Sequence, residues 1–331
     1  MSKLRLSAAV EELSLKAPIR ISGYVFTAVP VVVARLSDGA SEGRGEAAGV
    51  YYLNDDPPRM LREIEAVRGA VEGGAGREAL RRLLPPGGAR NALDCAMWEL
   101  EAQRSGQPVW RLAGLEPPRP LVTTYTLGAD DPPAMAEAAV AYAEARALKL
   151  KLTGEPELDA ERVRAVRAAR PGAWIGVDAN QGYTRDTLRG LMPALIDAGV
   201  SLLEQPLRRG SEADMDGLER PIPVAADESV QGLDDVEALV GRFDVVNIKL
   251  DKCGGLTEAL LIADKARRLG LKLMVGNMGG STWAMGPAFV VGQLCDVVDL
   301  DGPLIITQDR TPPLVYDAGT VRVPDVAWGG P

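Results

Sequence analysis

The chain has 331 residues, of which 46% are hydrophobic and 25% charged, with a net charge of −9 at pH 7. This suits a globular protein with room for a large barrel and a smaller unit, and argues against nucleic acid or an anionic membrane as partner. With no histidine in the chain, serine or cysteine catalysis through an imidazole base is excluded, and any acid or base must be Lys, Asp, Glu, Tyr or Cys.

No run reaches eighteen uninterrupted apolar residues, and Met1-Ser-Lys-Leu-Arg-Leu6 lacks a signal-peptide core, so a cytoplasmic enzyme is expected. Cys95, Cys253 and Cys295 show no metal-ligand spacing, which suits reduced thiols. Residues 1 to about 55 read as a meander of strands. Leu4, Leu6 and Ala8 alternate with polar neighbours, the run 31–36 is rich in β-branched residues, and Ser37-Asp-Gly39 signals a turn. From Asp56 the period turns helical, with Met60, Ile64, Val67 and Val71 at spacings of three or four before Gly73-Gly74. A short helix follows, ending at Pro85-Pro-Gly-Gly88. The next helix is expected to be capped by Asn91, with Asp94 in its first turn and Leu93, Met97 and Leu100 as its buried stripe. Ser105-Gly-Gln-Pro108 breaks it, and Pro117-Pro118 closes this α+β unit.

Beyond that point short apolar runs alternate with helical stretches, at 122–127, 147–152, 174–177, 201–203, 222–226, 245–250, 272–275 and 297–300. Eight strands in this rhythm suggest a closed parallel α/β barrel. The residues from about Thr311 are expected to return to the first unit.

One strand stands out, Ala147-Leu-Lys-Leu-Lys-Leu-Thr153. Strand alternation puts Lys149 and Lys151 on one face and Leu148, Leu150 and Leu152 on the other. Two ammonium groups about 4 Å apart repel by roughly 4 kcal/mol at an effective dielectric of about 20. Either anions compensate, or one lysine moves towards a base active near neutral pH. Other ionisable groups gather where the later strands stop: Asp178, Glu204, Asp227, Lys249, Asp251, Asp299 and Asp301. In a barrel of this kind those ends form one mouth.

Asp178, Glu204 and Asp227, from three consecutive strands, make a hard oxygen cage suited to Mg²⁺. Glu228 adjoins Asp227, and strand alternation is expected to let only one of the two point inward. Lys151 precedes the first carboxylate by one strand and Lys249 follows the last by one. Strands two and six of an eight-stranded ring are opposed. Two amines would then face each other across a bound substrate, the layout for removing a proton from one side of a carbon and returning it to the other.

The ordered set Lys149-Leu-Lys151, Asp178-Ala-Asn180, Glu204-Gln-Pro206, Asp227-Glu-Ser229 and Asn247-Ile-Lys-Leu-Asp-Lys-Cys-Gly-Gly255 resembles the enolase superfamily, muconate-cycloisomerase subgroup. Asp299-Leu-Asp-Gly-Pro303 looks like the dipeptide epimerases within it, whose type activity is L-Ala-D/L-Glu epimerisation. The resemblance runs nearly the whole length and includes Pro86-Gly-Gly-Ala-Arg-Asn-Ala-Leu-Asp94. It implies a modified TIM barrel, (β/α)7β, over 117–310, an N-terminal α+β capping domain over 1–116, and a segment 311–331 returning to that domain. It further implies Asp178, Glu204 and Asp227 as Mg²⁺ ligands, Lys151 and Lys249 as acid/base catalysts, and Lys149 as their electrostatic partner. Asp299 and Asp301 would bind the dipeptide's α-ammonium, with Asn277, Tyr24, Phe26 and Ser229 as further substrate contacts. A cytoplasmic homo-oligomer acting on a small dipeptide, with no nucleic acid or membrane partner, completes the expectation. A racemase of N-acylated amino acids, or a cycloisomerase or synthase of the subgroup, shares the metal and lysines but has no evident use for Asp299 and Asp301. A non-catalytic barrel binding a metal-chelated acid is the alternative outside the superfamily.

The resemblance departs from its pattern at one loop. Glutamate-specific members commonly carry an arginine in the first domain, where this chain has Gly23, followed by Tyr24 and Phe26. Gly49-Val-Tyr-Tyr-Leu-Asn54 is also aromatic, and residues 277–283 after strand seven are expected to line the pocket. Walls without a cation favour an apolar or aromatic second residue, because an unpaired buried carboxylate is costly.

Overall fold

The computed structural model describes residues 4–21 and 24–331, apart from the side chains of Arg20, Ile21 and Tyr24. Strands β1 (Arg5–Ile21), β2 (Tyr24–Ser37) and β3 (Glu42–Ala47) form the expected antiparallel meander. The β1–β2 ladder slips between Ser14 and Ile19, which places Ile19 opposite Phe26. Helix α1 (Pro57–Glu72) starts at Asp56, whose side chain accepts from the Arg59 amide at 2.8 Å, and it buries Met60, Ile64, Val67 and Val71. Helices α2 (Arg77–Leu83), α3 (Gly88–Ser105) and α4 (Val109–Leu112) complete this part of the chain.

Helix α3 begins four residues earlier than expected, with Gly87 rather than Asn91 at its cap position. Asp55, distant in sequence, accepts from the Gly88 amide at 2.7 Å and satisfies the helix start in place of a local cap. Asn91 and Asp94 are therefore interior, buried helical residues, and Asp94 accepts from the Thr257 amide and hydroxyl at 2.9 and 2.6 Å. The sheet approaches α3 closely because β3 carries glycines. A Cβ on Gly43 or Gly45 would lie 2.0 Å from the Ala96 or Ala92 carbonyl oxygen.

The second part of the chain winds eight parallel strands with spatial neighbours in sequence order. They are β5 (Thr124–Leu127), which follows the two-residue β4 (Leu121–Val122), then β6 (Ala147–Lys151), β7 (Trp174–Asp178), β8 (Leu202–Glu204), β9 (Val224–Ala226), β10 (Val245–Ile248), β11 (Lys272–Val275) and β12 (Val297–Val298). Between them run α5 (Pro132–Ala141), α6 (Pro156–Ala169), α7 (Arg185–Asp197), α8 (Leu250–Cys253), α9 (Leu256–Arg268) and α10 (Thr282–Gly292), and α11 (Gly302–Ile305) follows the last strand. After β8 and β9 only 3-10 turns appear, at Glu212–Met215 and Leu233–Leu239, in segments interrupted by Gly210, Gly217, Pro221, Pro223 and Gly232.

The ring closes between β12 and β5 through side chains. Thr124 Oγ1 donates to Asp299 Oδ1 at 2.6 Å, the Thr126 amide to Asp301 Oδ2 at 2.7 Å, and the Leu300 amide to Thr123 Oγ1 at 2.9 Å. Leu148, Leu150 and Leu152 are buried in the main apolar core, while Trp174, Leu202, Ala225, Val245 and Met274 make a separate small cluster. The final residues form β13 (Val315–Asp317) and β14 (Thr320–Arg322), an antiparallel pair alongside β4. Trp328 Nε1 then donates to the Arg44 carbonyl on β3 at 3.0 Å. Among the described residues, no helix is long and apolar enough to cross a membrane.

Candidate active site

Register brings the acids together. Lys151 pairs with Asp178 across β6 and β7, and Asp178 pairs with Glu204 across β7 and β8. Asp227 follows β9 by one residue. Each of the three carboxylates offers an oxygen, and these oxygens lie within 4.8 Å of one another. Four lysines surround them. Lys149 Nζ sits 2.8 Å from Glu204 and from Asp299 and 3.2 Å from Asp178. Lys151 Nζ is 2.6 Å from Asp178, and Lys249 Nζ is 2.7 Å from Asp227. Lys151 and Lys249 thus flank the two ends of the triad, on elements separated by three strands, and both line one cavity of about 260 Å³.

Of the two outcomes expected for the Lys149 and Lys151 pair, the structure shows the first, compensation by anions. Burial disfavours a charged Lys149, but Asp299, Glu204 and Asp178 outweigh it and hold the ammonium well above the ordinary range. Lys249 is also raised, because Asp227 overcomes burial and the Lys149 charge. Among the acids, burial alone would raise Asp178, yet Lys151 and Lys149 bring it down to about 2, and Lys249 and Lys252 likewise depress Asp227. Burial and the Asp178 charge push Glu204 up to about 7, while burial and Asp227 push Glu228 up to about 8. Asp301, raised by burial and by Asp299, reaches about 6.

Four buried or half-buried amines (Lys149, Lys151, Lys249 and Lys252) meet six buried acids (Asp178, Glu204, Asp227, Glu228, Asp299 and Asp301), a shortfall of two positive charges. With every group ionised, one divalent cation would balance the set. The three clustered carboxylates are hard oxygen donors of the type Mg²⁺ takes, so the residues fit the metal.

The expectation that only one of Asp227 and Glu228 could face inward does not hold. Strand β9 ends at Ala226, so pleat alternation no longer governs the next two residues, and both line the cavity. Glu228 Oε2 and Asn180 Oδ1 are buried there without a protein partner. Asp299 and Asp301 also line the cavity, as does Asn277, which donates to the Asp299 carbonyl at 2.8 Å. Phe26 does so too, with its ring 5.3 Å edge-on from Tyr51, which in turn stands 5.2 Å from Tyr52. Ser229 hydrogen-bonds Gln205 and Glu212 and borders a separate hollow with Arg209 and Arg242, outside the cavity that holds the lysines. Gly23 and the side chain of Tyr24 lie outside the described residues. Of residues 277–283, Asn277, Met278 and Gly279 line the cavity, whereas Trp283 is stacked among the guanidinium groups of Arg35, Arg44 and Arg310.

Two site residues carry no role in the sequence reading. Lys252 Nζ is 2.6 Å from both the Asp227 carboxylate and the Asp227 carbonyl and 3.1 Å from the Asn247 carbonyl. Asn247 Nδ2 donates to Glu204 Oε1 at 2.8 Å. For Lys252 the spacing held a signal: three residues after Lys249, one helical turn brings it back to the same carboxylate.

A family model described as enolase C-terminal domain-like matches residues 134–329. The L-Ala-D/L-Glu epimerase of Escherichia coli (strain K12) is 37% identical over 293 residues, covering 88% of this chain and 91% of the relative. A hydrophobic dipeptide epimerase of Roseobacter litoralis is 37% identical over 237 residues, covering 69% of this chain and 68% of the relative. Among solved structures, an enolase family member from Agrobacterium tumefaciens with homology to dipeptide epimerases, holding sodium and L-Ala-L-Glu with an ordered loop, superposes with a TM-score of 0.94. It is 38% identical and covers 98% of this chain and 100% of its own.

Proposed function

Since this chain belongs to the enolase superfamily, we propose that it is a Mg²⁺-dependent dipeptide epimerase that inverts the α-carbon of the C-terminal residue. The observation that carries this reading is the pair Lys151 and Lys249 at opposite ends of the carboxylate triad, in one cavity with Asp299 and Asp301. Mg²⁺, held by Asp178, Glu204 and Asp227, would supply Lewis-acid polarisation of the substrate carboxylate.

The chain's own groups do the rest. Asp299 and Asp301 receive the α-ammonium and fix the peptide's direction. One of Lys151 and Lys249, in its neutral form, takes the α-proton and leaves the C–H electron pair on the substrate as an enediolate. The Lys149 ammonium faces that new charge. The other lysine, protonated, returns a proton to the opposite face, so the carbon inverts and the proton count balances.

The second residue of the dipeptide is apolar or aromatic in this reading. Ile19, Phe26, Val29 and Tyr51 support it, and among the described residues no arginine lines the cavity. The Roseobacter relative, described as acting on hydrophobic dipeptides, agrees. The reading also takes 1–116 as a capping domain, 117–310 as the (β/α)7β barrel and 311–331 as a returning segment, in a cytoplasmic homo-oligomer. Free thiols at Cys95, Cys253 and Cys295 support the compartment, and sedimentation measures the assembly.

Incubating a dipeptide panel with Mg²⁺ in deuterated water tests the function. A mass gain of one at the C-terminal α-carbon, greatest for apolar or aromatic second residues, is expected. A dominant gain for Ala-Glu would overturn the specificity, and no gain with any dipeptide would overturn the activity.

A further inference from the structure

One turn of backbone at the short helix α8 sends two charged side chains to Asp227 and a third away from it. Lys249, its N-cap, and Lys252 hold the two oxygens of Asp227. Asp251, between them, is buried and does not line the cavity, although its place at a strand end suggested the mouth. Its carboxylate accepts from the Gly49 amide at 3.0 Å, and although burial pushes it up to about 7, the Ala48 backbone and the Asn91 side chain also favour its charged form.

What Asp251 grips is the start of the aromatic loop. Gly49 has φ +73, and a Cβ there would lie 2.1 Å from the Asp55 carbonyl, so the loop leaves its anchor in a single tight path. A 3-10 turn follows over Tyr51–Leu53, closed by Asn54 in the left-handed region. At the far end Asp55 bonds the Gly88 amide. The loop is therefore pinned at both ends by buried carboxylates, one from α8 and one of its own. Tyr51 and Tyr52, between the pins, line the cavity, and Gln231 Nε2 donates to the Tyr52 hydroxyl at 3.3 Å. Burying a carboxylate is expensive and is offset only by several donors. Its placement here joins the loop to the backbone turn that begins at Lys249.

We propose that Asp251 is a positioning residue: by gripping Gly49 it sets Tyr51 and Tyr52 relative to Lys249, and so selects the side chain of the dipeptide's second residue. This rests on the dipeptide reading above.

The test compares α-proton exchange on Ala-Ala, whose second side chain is too short to need the aromatic wall, with exchange on Ala-Leu. In Asp251→Ala, kcat/KM for Ala-Leu is expected to fall about tenfold to a hundredfold, chiefly through KM, the scale of leaving the buried Gly49 amide without an acceptor. Ala-Ala should change by less than about threefold and Mg²⁺ affinity by calorimetry by less than about twofold, while Asp251→Asn, which keeps an acceptor, falls in between. Equal losses on both peptides, or no loss on either, would overturn the proposal. Should Asp251→Ala not fold, Asp251→Asn carries the test by hydrogen exchange. The Gly49 amide is then expected to exchange at least about tenfold faster, and unchanged protection there overturns it. Failure of the dipeptide reading would show instead in the unmodified protein, as no exchange on either peptide.

Discussion

Replacing Lys252 by Met removes an ammonium while keeping most of the stem's volume. In the structure that ammonium lies 2.6 Å from the Asp227 carboxylate and carbonyl and 3.1 Å from the Asn247 carbonyl, with both side chains 1% exposed. Removing one partner of a buried pair typically costs about 3–5 kcal/mol, because the other charge stays buried without compensation. Lys249 still holds the second Asp227 oxygen, so the lower end of that range is expected, about 3 kcal/mol. Mg²⁺ should recover part of it. A ligand at a hundred times its Kd adds about 2.7 kcal/mol to the folded state, and a site one positive charge poorer should gain at least as much. Urea unfolding followed by circular dichroism, with and without Mg²⁺, measures both effects. A loss below about 1 kcal/mol would refute the reasoning, as would a metal that stabilises the unmodified protein and leaves the variant unchanged.

Burial pushes Asp94 up to about 6 against the opposing Thr257 hydrogen bonds, so the folded state holds a proton that the unfolded chain releases near pH 4. This group's stabilising contribution is then fully present below about pH 4 and is lost as pH rises through about 6, roughly 3 kcal/mol in all. Asp94→Asn should therefore gain about that much relative to the unmodified protein between pH 4 and pH 7, and a difference that does not vary with pH would contradict it. At Gly45 a Cβ would meet the Ala92 carbonyl at 2.0 Å and the Ala96 amide nitrogen at 2.9 Å, backbone atoms that cannot step aside. Gly45→Ala should cost about 3 kcal/mol or more in urea unfolding, and unaltered stability would contradict the close approach of β3 to α3. Stripping divalent ions with a chelator should abolish α-proton exchange, and Mg²⁺ titration should restore it, whereas persistent exchange would remove the metal from the scheme.

Much of the site was legible because its cues are local. Alternation in Lys149-Leu-Lys151 settles which residues share a face, and the acids at Asp178 and Glu204 end their strands at matching register. The charge state of Lys149 was not legible, since its strongest partner, Asp299, lies 150 residues away and reaches it only when the ring closes. The start of α3 was missed for the same reason. Asn91 and Asp94 are favoured cap residues, but a carboxylate at position 55 terminates the helix and frees them for burial against Thr257. Asp227 and Glu228 both enter the cavity because β9 ends at Ala226, before either of them, so alternation does not separate them. Asp251 sits in the same stretch as Lys249, yet its partner, Gly49, is 202 residues earlier, and no spacing rule points to it.

The central claim is that Lys151 and Lys249 serve opposite faces of one carbon, and enantiomer-resolved exchange in deuterated water tests it most directly. With an L,L-dipeptide and its L,D-epimer as separate substrates, Lys151→Ala and Lys249→Ala should each abolish inversion. Each should still exchange the α-proton of one epimer, and the two variants should retain opposite epimers. Inversion surviving in either variant, or both variants retaining the same epimer, would contradict the account.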